Sequence, residues 1–158
     1  MTTTTSAARI VRHATLHLSA PPEKVFPLLC PVREHEWLET WRASLVHSDS
    51  GVAEDDCVFL QTEAEGAQRV WAVSRYEPRV GVIEFVAFTP GLHVMKLEVA
   101  LFPEATGTRA EWHRTLTALS ADGARVLESL TEEASAATMA RLEAQLDHYL
   151  RTGTMLRG

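Results

Sequence analysis

Apolar and polar positions alternate from Arg9 to Leu18. Ile10, Ala14, Leu16 and Leu18 fall on one face, interrupted by Arg12, and Val11, His13, Thr15 and His17 fall on the other. A period of two predicts a half-buried strand. The segment Ser19-Ala20-Pro21-Pro22-Glu23 then announces a helix, with Pro22 suited to its first position and Glu23 to the positive end of its dipole. Val25, Phe26, Leu28 and Leu29 give that helix an apolar face. It must be short, because Pro27 removes a backbone donor and Pro31 disfavours helix at Cys30. A second short helix is predicted from about Val32 to Thr40, carrying Trp37 and Leu38.

From Ala43 to Leu119 the pattern becomes short apolar runs separated by turn residues. The turns are Ser48-Asp49-Ser50-Gly51, Glu63-Ala64-Glu65-Gly66, Pro78 to Gly81, Thr89-Pro90-Gly91 and Pro103 to Gly107. Regular short spacing of this kind predicts an antiparallel meander, seven strands in all with the first. After Leu119 the period lengthens. Leu127, Leu130, Ala134, Met139, Leu142, Leu146 and Tyr149 recur every three to five residues, no proline intervenes, and Gly153 suits a helix end. The pattern predicts one amphipathic helix from Ala121 to Arg151, about thirty residues and about 45 Å long. Only an extended, curved sheet could cover its apolar stripe.

Composition narrows the classes. The 158 residues suit one domain, expected over 9–153, with a disordered tail at 1–8 and a short tail at 154–158. A net charge of −6, from 15 basic against 21 acidic residues, argues against nucleic acid and anionic membrane as main partners. No apolar run is long enough for membrane insertion, and the Thr/Ser/Ala N-terminus lacks the order of a signal peptide, so a cytoplasmic location is expected. Cys30 and Cys57 are then expected to be thiols rather than a disulfide. No cofactor motif occurs. His35 and Glu39, or His13 and His17, lack a third ligand at a recognised spacing, so no metal site is expected.

The order strand, two short helices, six strands, long helix resembles the helix-grip fold of the START/Bet v1-like (SRPBCC) superfamily. The likeness is carried by "SAPPEKVFPLL" leading into "PVREHEWLETW", and by "WHRTLTALSADGARVLESLTEE" leading to "LEAQLDHYLRTG". It looks like the bacterial polyketide cyclase/dehydrase-like branch and covers nearly the whole chain. The resemblance implies an α+β fold in which a curved seven-stranded antiparallel sheet grips the last helix around a cavity. Superfamily members include lipid carriers, hormone receptors, aromatic cyclases and ring-hydroxylating oxygenase domains, so the fold does not fix the function.

Candidate residues follow from strand phase. His93, Met95, Leu97, Val99 and Leu101 share one face of the sixth strand, expected inward, with His93 at one end. In the fifth strand, Ile83, Phe85 and Ala87 oppose Val82, Glu84, Val86 and Phe88. Placing the Ile83 face inward keeps the Glu84 carboxylate wet but leaves a greasy exterior that hints at a homodimer. Trp112 and Leu116 are expected inward on the seventh strand. Arg114 then either snorkels or pairs inside, and Arg75 beside Trp71 and Val73 poses the same question. Trp37 and Trp41, four apart, share a face, and the resemblance sets their segment at the cavity mouth. Trp71 and Trp112 read first as core filling and second as aromatic lining, while Trp37 and Trp41 read equally as either. Glu132 and Glu133 read as the wet face of the last helix.

Two functions are expected to compete. One is binding of a hydrophobic small molecule (lipid, polyketide or aromatic), lined by Trp37, Trp41, Trp71, Phe85 and Met95, and by Leu97, Trp112, Met139, Leu142 and Leu146. The other is a cyclase or dehydratase acting in the same cavity, with His93, Arg75, Arg114 and Glu84 as proton-transfer or orienting groups.

Overall fold

Strand alternation is realised as a seven-stranded antiparallel sheet in the computed structural model, which describes residues 8–158. The strands are β1 (Arg9–Leu18), β2 (Ala43–His47), β3 (Val58–Thr62), β4 (Gln68–Glu77), β5 (Val82–Thr89), β6 (His93–Glu104) and β7 (Gly107–Ala118). Their order is β1-β7-β6-β5-β4-β3-β2, so the first strand crosses over to pair with the last, from Arg9 opposite Thr117 to Leu18 opposite Thr108. The Ala8 carbonyl already accepts from the Ala118 N–H (2.8 Å), so the ladder begins one residue before β1. The rest of the expected N-terminal tail lies outside the described residues.

Between β1 and β2 the chain forms α1 (Pro22–Val25), a 3-10 turn over Phe26–Leu29 and a second 3-10 turn over Arg33–Glu36. The second helical stretch is therefore much shorter than the expected Val32–Thr40. Helical bonding ends in the turn N–H contacts from Trp37 and Leu38 to the Glu34 carbonyl. Trp37 and Trp41 are nevertheless both buried.

The C-terminal helix is long and packs on the sheet, against β1, but it is not continuous. It divides into α2 (Ala121–Ser129) and α3 (Glu132–Thr152), and Leu130 and Thr131 leave helical geometry. In an unbroken helix the Ala134 N–H would bond the Leu130 carbonyl. Here both partners are satisfied elsewhere. Thr131 Oγ1 accepts from the Ala134 N–H (3.1 Å), and the Arg12 guanidinium donates through Nε and Nη2 to the Leu130 carbonyl (3.0 and 2.8 Å). Arg12, which interrupts the apolar face of β1, thus ends α2. α3 is left with 21 residues, about 31 Å. Residues 154–158 fold back along it, with the Gly158 carbonyl held by Arg141 (2.8 Å) and its N–H by Glu39 (3.2 Å).

The inner face of the sheet carries the core: Leu16, Ile83, Phe85, Ala87, Met95, Val99, Ala110 and Leu116 are buried. The Ile83 face of β5 is thus the inner one, and Phe88 is exposed on the outer face. Cys30 and Cys57 are free and buried; burial pushes the Cys57 thiol up. Among the described residues no helix is long and apolar enough to cross a membrane.

α2 abuts the β5–β6 turn so closely that a Cβ on Gly123 would lie 1.8 Å from the Leu92 carbonyl oxygen. Backbone there cannot yield without opening the turn. Gly123→Ala should therefore destabilise the protein by about 3 kcal/mol, read from urea unfolding midpoints, although alanine is the better helix former.

Candidate functional site

The segment from Leu28 to Trp41 is pinned to itself by its two indoles. Trp37 donates to the Leu28 carbonyl and Trp41 to the Pro31 carbonyl, each at 2.9 Å. Satisfying these N–H groups allows both rings to be buried. Trp41 then meets an aromatic cluster from β3, β4 and β5. Its ring lies 6.3 Å from Phe59 and 6.4 Å from Trp71, Phe59 stacks on Trp71 at 5.6 Å, and Phe85 meets Trp71 edge-on at 5.6 Å. Trp71 donates its indole N–H to Gln61 (2.9 Å). Of the expected lining residues, Trp41 and Phe85 therefore both meet Trp71, while Trp37 is bonded to the Leu28 backbone.

The remaining lining candidates lie between the sheet and α3. Met95, Leu97 and Trp112 each keep 7% of their surface accessible and Met139 5%, although all face inward. Further along the same strands, Val99 and Ala110 are sealed at 0%. On α3, Leu146 is sealed and Leu142 is half-buried. The aromatic cluster keeps a similar share of accessible surface, 8% at Trp41, 7% at Trp71 and 5% at Phe85. A groove of about 530 Å³ runs between β1 and the start of α3, lined by Val11, Arg12, His13, Ala14, Glu132, Ser135, Ala136 and Met139. Met139 belongs to both the groove and the core.

The four acid–base candidates separate. Arg75 faces outward, against the expectation that it sits beside Trp71 and Val73. A bulge between Val73 and Arg75 inserts Ser74, reverses the phase of β4 and sets Arg75 opposite Glu84. Arg75 there bonds Glu77 (2.9 Å). Glu84 is also on the outer face, paired with Lys96 at 3.2 Å and accepting from Ser74 Oγ at 2.9 Å. His93 and Arg114 face inward. His93 is buried, its Nδ1 has no partner, and burial followed by the nearby Arg69 charge pushes its pKa down, so it is neutral at pH 7. Arg114 is half-buried and donates to Ser135 Oγ, and its pKa is lowered by burial and then by Arg12. No carboxylate lies within 4.0 Å of it among the described residues.

His13 pairs with Glu111 (2.8 Å), His17 with Glu104 (3.1 Å), and His35 meets the Ala43 carbonyl (3.0 Å). Among the described residues no group of three or more His, Cys, Asp or Glu is set to hold a metal.

Sequence reasoning passes over Glu34. In a 3-10 turn, residues three apart eclipse. Arg33 and Glu36 share the outer side, where they pair at 2.5 Å and Glu36 accepts from the Tyr149 hydroxyl at 2.5 Å. Glu34 shares its side with Trp37, which is fully buried. Glu34 is half-buried, and desolvation holds its pKa well above the usual carboxylate range. The phase of Glu34 with Trp37 was the available signal, and it becomes readable only once the turn is known to be 3-10 rather than α.

A carboxyl whose pKa is raised by folding favours the folded state while it is protonated. Its contribution is present below the ordinary glutamate value and is lost as pH rises through the folded value. Glu34→Gln removes that loss. The variant should gain stability over the wild type as pH is raised from 4 to 8, in paired urea titrations.

No family model matches this chain, and no curated protein matches it. Solved structures do. Ara h 8.0201 aligns with a TM-score of 0.66 at 10% identity, over 92% of this chain and 99% of that one. Norcoclaurine synthase from Thalictrum flavum, in complex with dopamine and hydroxybenzaldehyde, aligns at 0.65 and 12%, over 89% and 87%. DynU16, from the dynemicin biosynthetic locus, aligns at 0.62 and 16%, over 91% of this chain and 48% of that one. The structural neighbours of this chain are Bet v1-like/SRPBCC proteins, and it shares their helix-grip fold.

Proposed function

We propose that the chain binds one hydrophobic small molecule between the inner face of the sheet and α3, with no covalent chemistry. The observation that carries this reading is an apolar inner face whose residues Met95, Leu97 and Trp112 and whose aromatic wall of Trp41, Trp71 and Phe85 are buried yet each keep 5–8% of their surface accessible. Apolar walls with few polar groups are the usual makeup of a ligand site. Norcoclaurine synthase, on the same fold, holds dopamine and hydroxybenzaldehyde, which supports an aromatic or similarly sized guest.

The cyclase or dehydratase reading is weaker. Arg75 and Glu84 are engaged on the outer face. His93 pairs with Ala118 and Arg114 with Leu97, four residues apart along β6, or about 13 Å of strand. One substrate pose holding both within hydrogen-bond reach would need a long molecule.

A neutral, polarity-sensitive naphthalene dye should bind the wild type at one equivalent with enhanced emission. Leu97→Trp, which fills the space from the centre of the inner face, should weaken that binding about tenfold while the far-ultraviolet dichroism is unchanged. Equal binding by the filled variant, or no binding by the wild type, would remove the reading.

A further inference from the structure

Two arginines stand opposite each other on the inner face of the sheet: Arg12 of β1 pairs in register with Arg114 of β7. Directly opposed residues of an antiparallel pair hold their Cβ atoms about 5 Å apart, and like charges there repel. Both guanidiniums turn toward the start of α3. Arg12 donates to the Leu130 carbonyl through Nε and Nη2 and to the Val11 carbonyl through Nη1 (2.8 Å), and Arg114 donates to Ser135 Oγ. All these acceptors are neutral. Among the described residues neither arginine has a carboxylate within 4.0 Å, whereas Arg33, Arg69, Arg75 and Arg109 each have one. The N-terminal end of α3, a helix of 21 residues, adds the positive end of its dipole to the same place.

This pair of charges opens onto space. The groove of about 530 Å³ between β1 and the start of α3 is lined by Arg12 and by Ser135, the residue to which Arg114 donates. Among the described residues Arg114 Nε and Nη1 have no partner, and they are not sealed from the surface. Of the five N–H groups of a guanidinium, Arg114 thus spends one within the chain. The apolar walls of the groove are Val11, Ala14, Ala136 and Met139. Its other charges are few. His13 is paired with Glu111 (2.8 Å), and Glu132 sets one negative charge against the two positive ones.

We propose that Arg12 and Arg114 form an oxyanion site, where a molecule with a single carboxylate and a short apolar body lies in the groove against Ala14, Ala136 and Met139. A carboxylate has two acceptor oxygens, and a guanidinium fork matches them in pairs. One negative charge also equals the excess positive charge of the groove. The repulsion between the two opposed arginines is relieved when the anion sits between them. The volume is that of an ordinary small-molecule site. This site does not require a guest in the interior.

The test compares octanoate with octan-1-ol on the full chain in nitrogen–proton correlation spectra. Octanoate should bind at one equivalent, shift the backbone amide signals of Ala14, Ser135 and Ala136, and bind at least about tenfold more tightly than the alcohol. Arg114→Gln removes a repulsion and keeps a donor for Ser135, so it should fold. It should bring octanoate down to the level of the alcohol, whose own affinity should change less than about twofold. Ala136→Phe fills the groove from an exposed position of α3 and should abolish the octanoate shifts at Ala14 and Ser135. If octanoate has no advantage over the alcohol, keeps its advantage in Arg114→Gln, or survives Ala136→Phe, the oxyanion site is overturned. If octanoate shifts only the indole signals of Trp71 and Trp112, it has entered the interior, which overturns the groove site and supports the interior guest.

Discussion

A sheet of seven strands is about 30 Å wide and a helix about 10 Å, so α3 alone cannot cover the inner face. The rest of the structure answers that mismatch. α3 lies on β1, at one edge. The segment from Pro22 to Trp41 covers the other side and brings its two tryptophans in. α1 also reaches β6 and β7, so the inner face is covered by two narrow elements together.

Polar groups sort themselves by the same geometry. Charges on the outer face find neighbours across strands or along one, as Glu84 does with Lys96 of β6 and Arg75 with Glu77 of its own β4. Charges on the inner face have fewer choices. Arg12 is used at the end of α2 and Arg114 reaches Ser135. His93 resolves its burial by staying neutral.

Much of this was legible in the sequence. The phase of β1, β5, β6 and β7 followed directly from alternation, and the requirement to keep Glu84 wet chose the correct face of β5. Two features were hidden because each depends on a distant partner. Nothing local to "VSRYE" marks Ser74 as an inserted residue; the register with β5 does. The break at Leu130 has a local trace, since Thr131 followed by two glutamates is a helix start, but the continuous apolar period masks it. It is Arg12, more than a hundred residues earlier, that takes the freed carbonyl. Which apolar residues of the candidate site face inward was legible from strand phase. The raised carboxyl of Glu34 was not, because Glu34 lies in a turn whose periodicity is three, and a reading at 3.6 assigns it no face.

The way α3 rests on β1 has a consequence for assembly. A strand at the edge of a sheet offers unpaired backbone groups to any passing chain. Here carboxylates of α3 occupy such groups: the His17 N–H is taken by Glu143 (2.9 Å) and the Ser19 N–H by Asp147 (2.7 Å). The opposite edge strand, β2, is five residues long. A foreign strand would have to displace charged hydrogen bonds at one edge and would find little length at the other. The helix that encloses the interior also guards the sheet against strand-by-strand growth into fibrils.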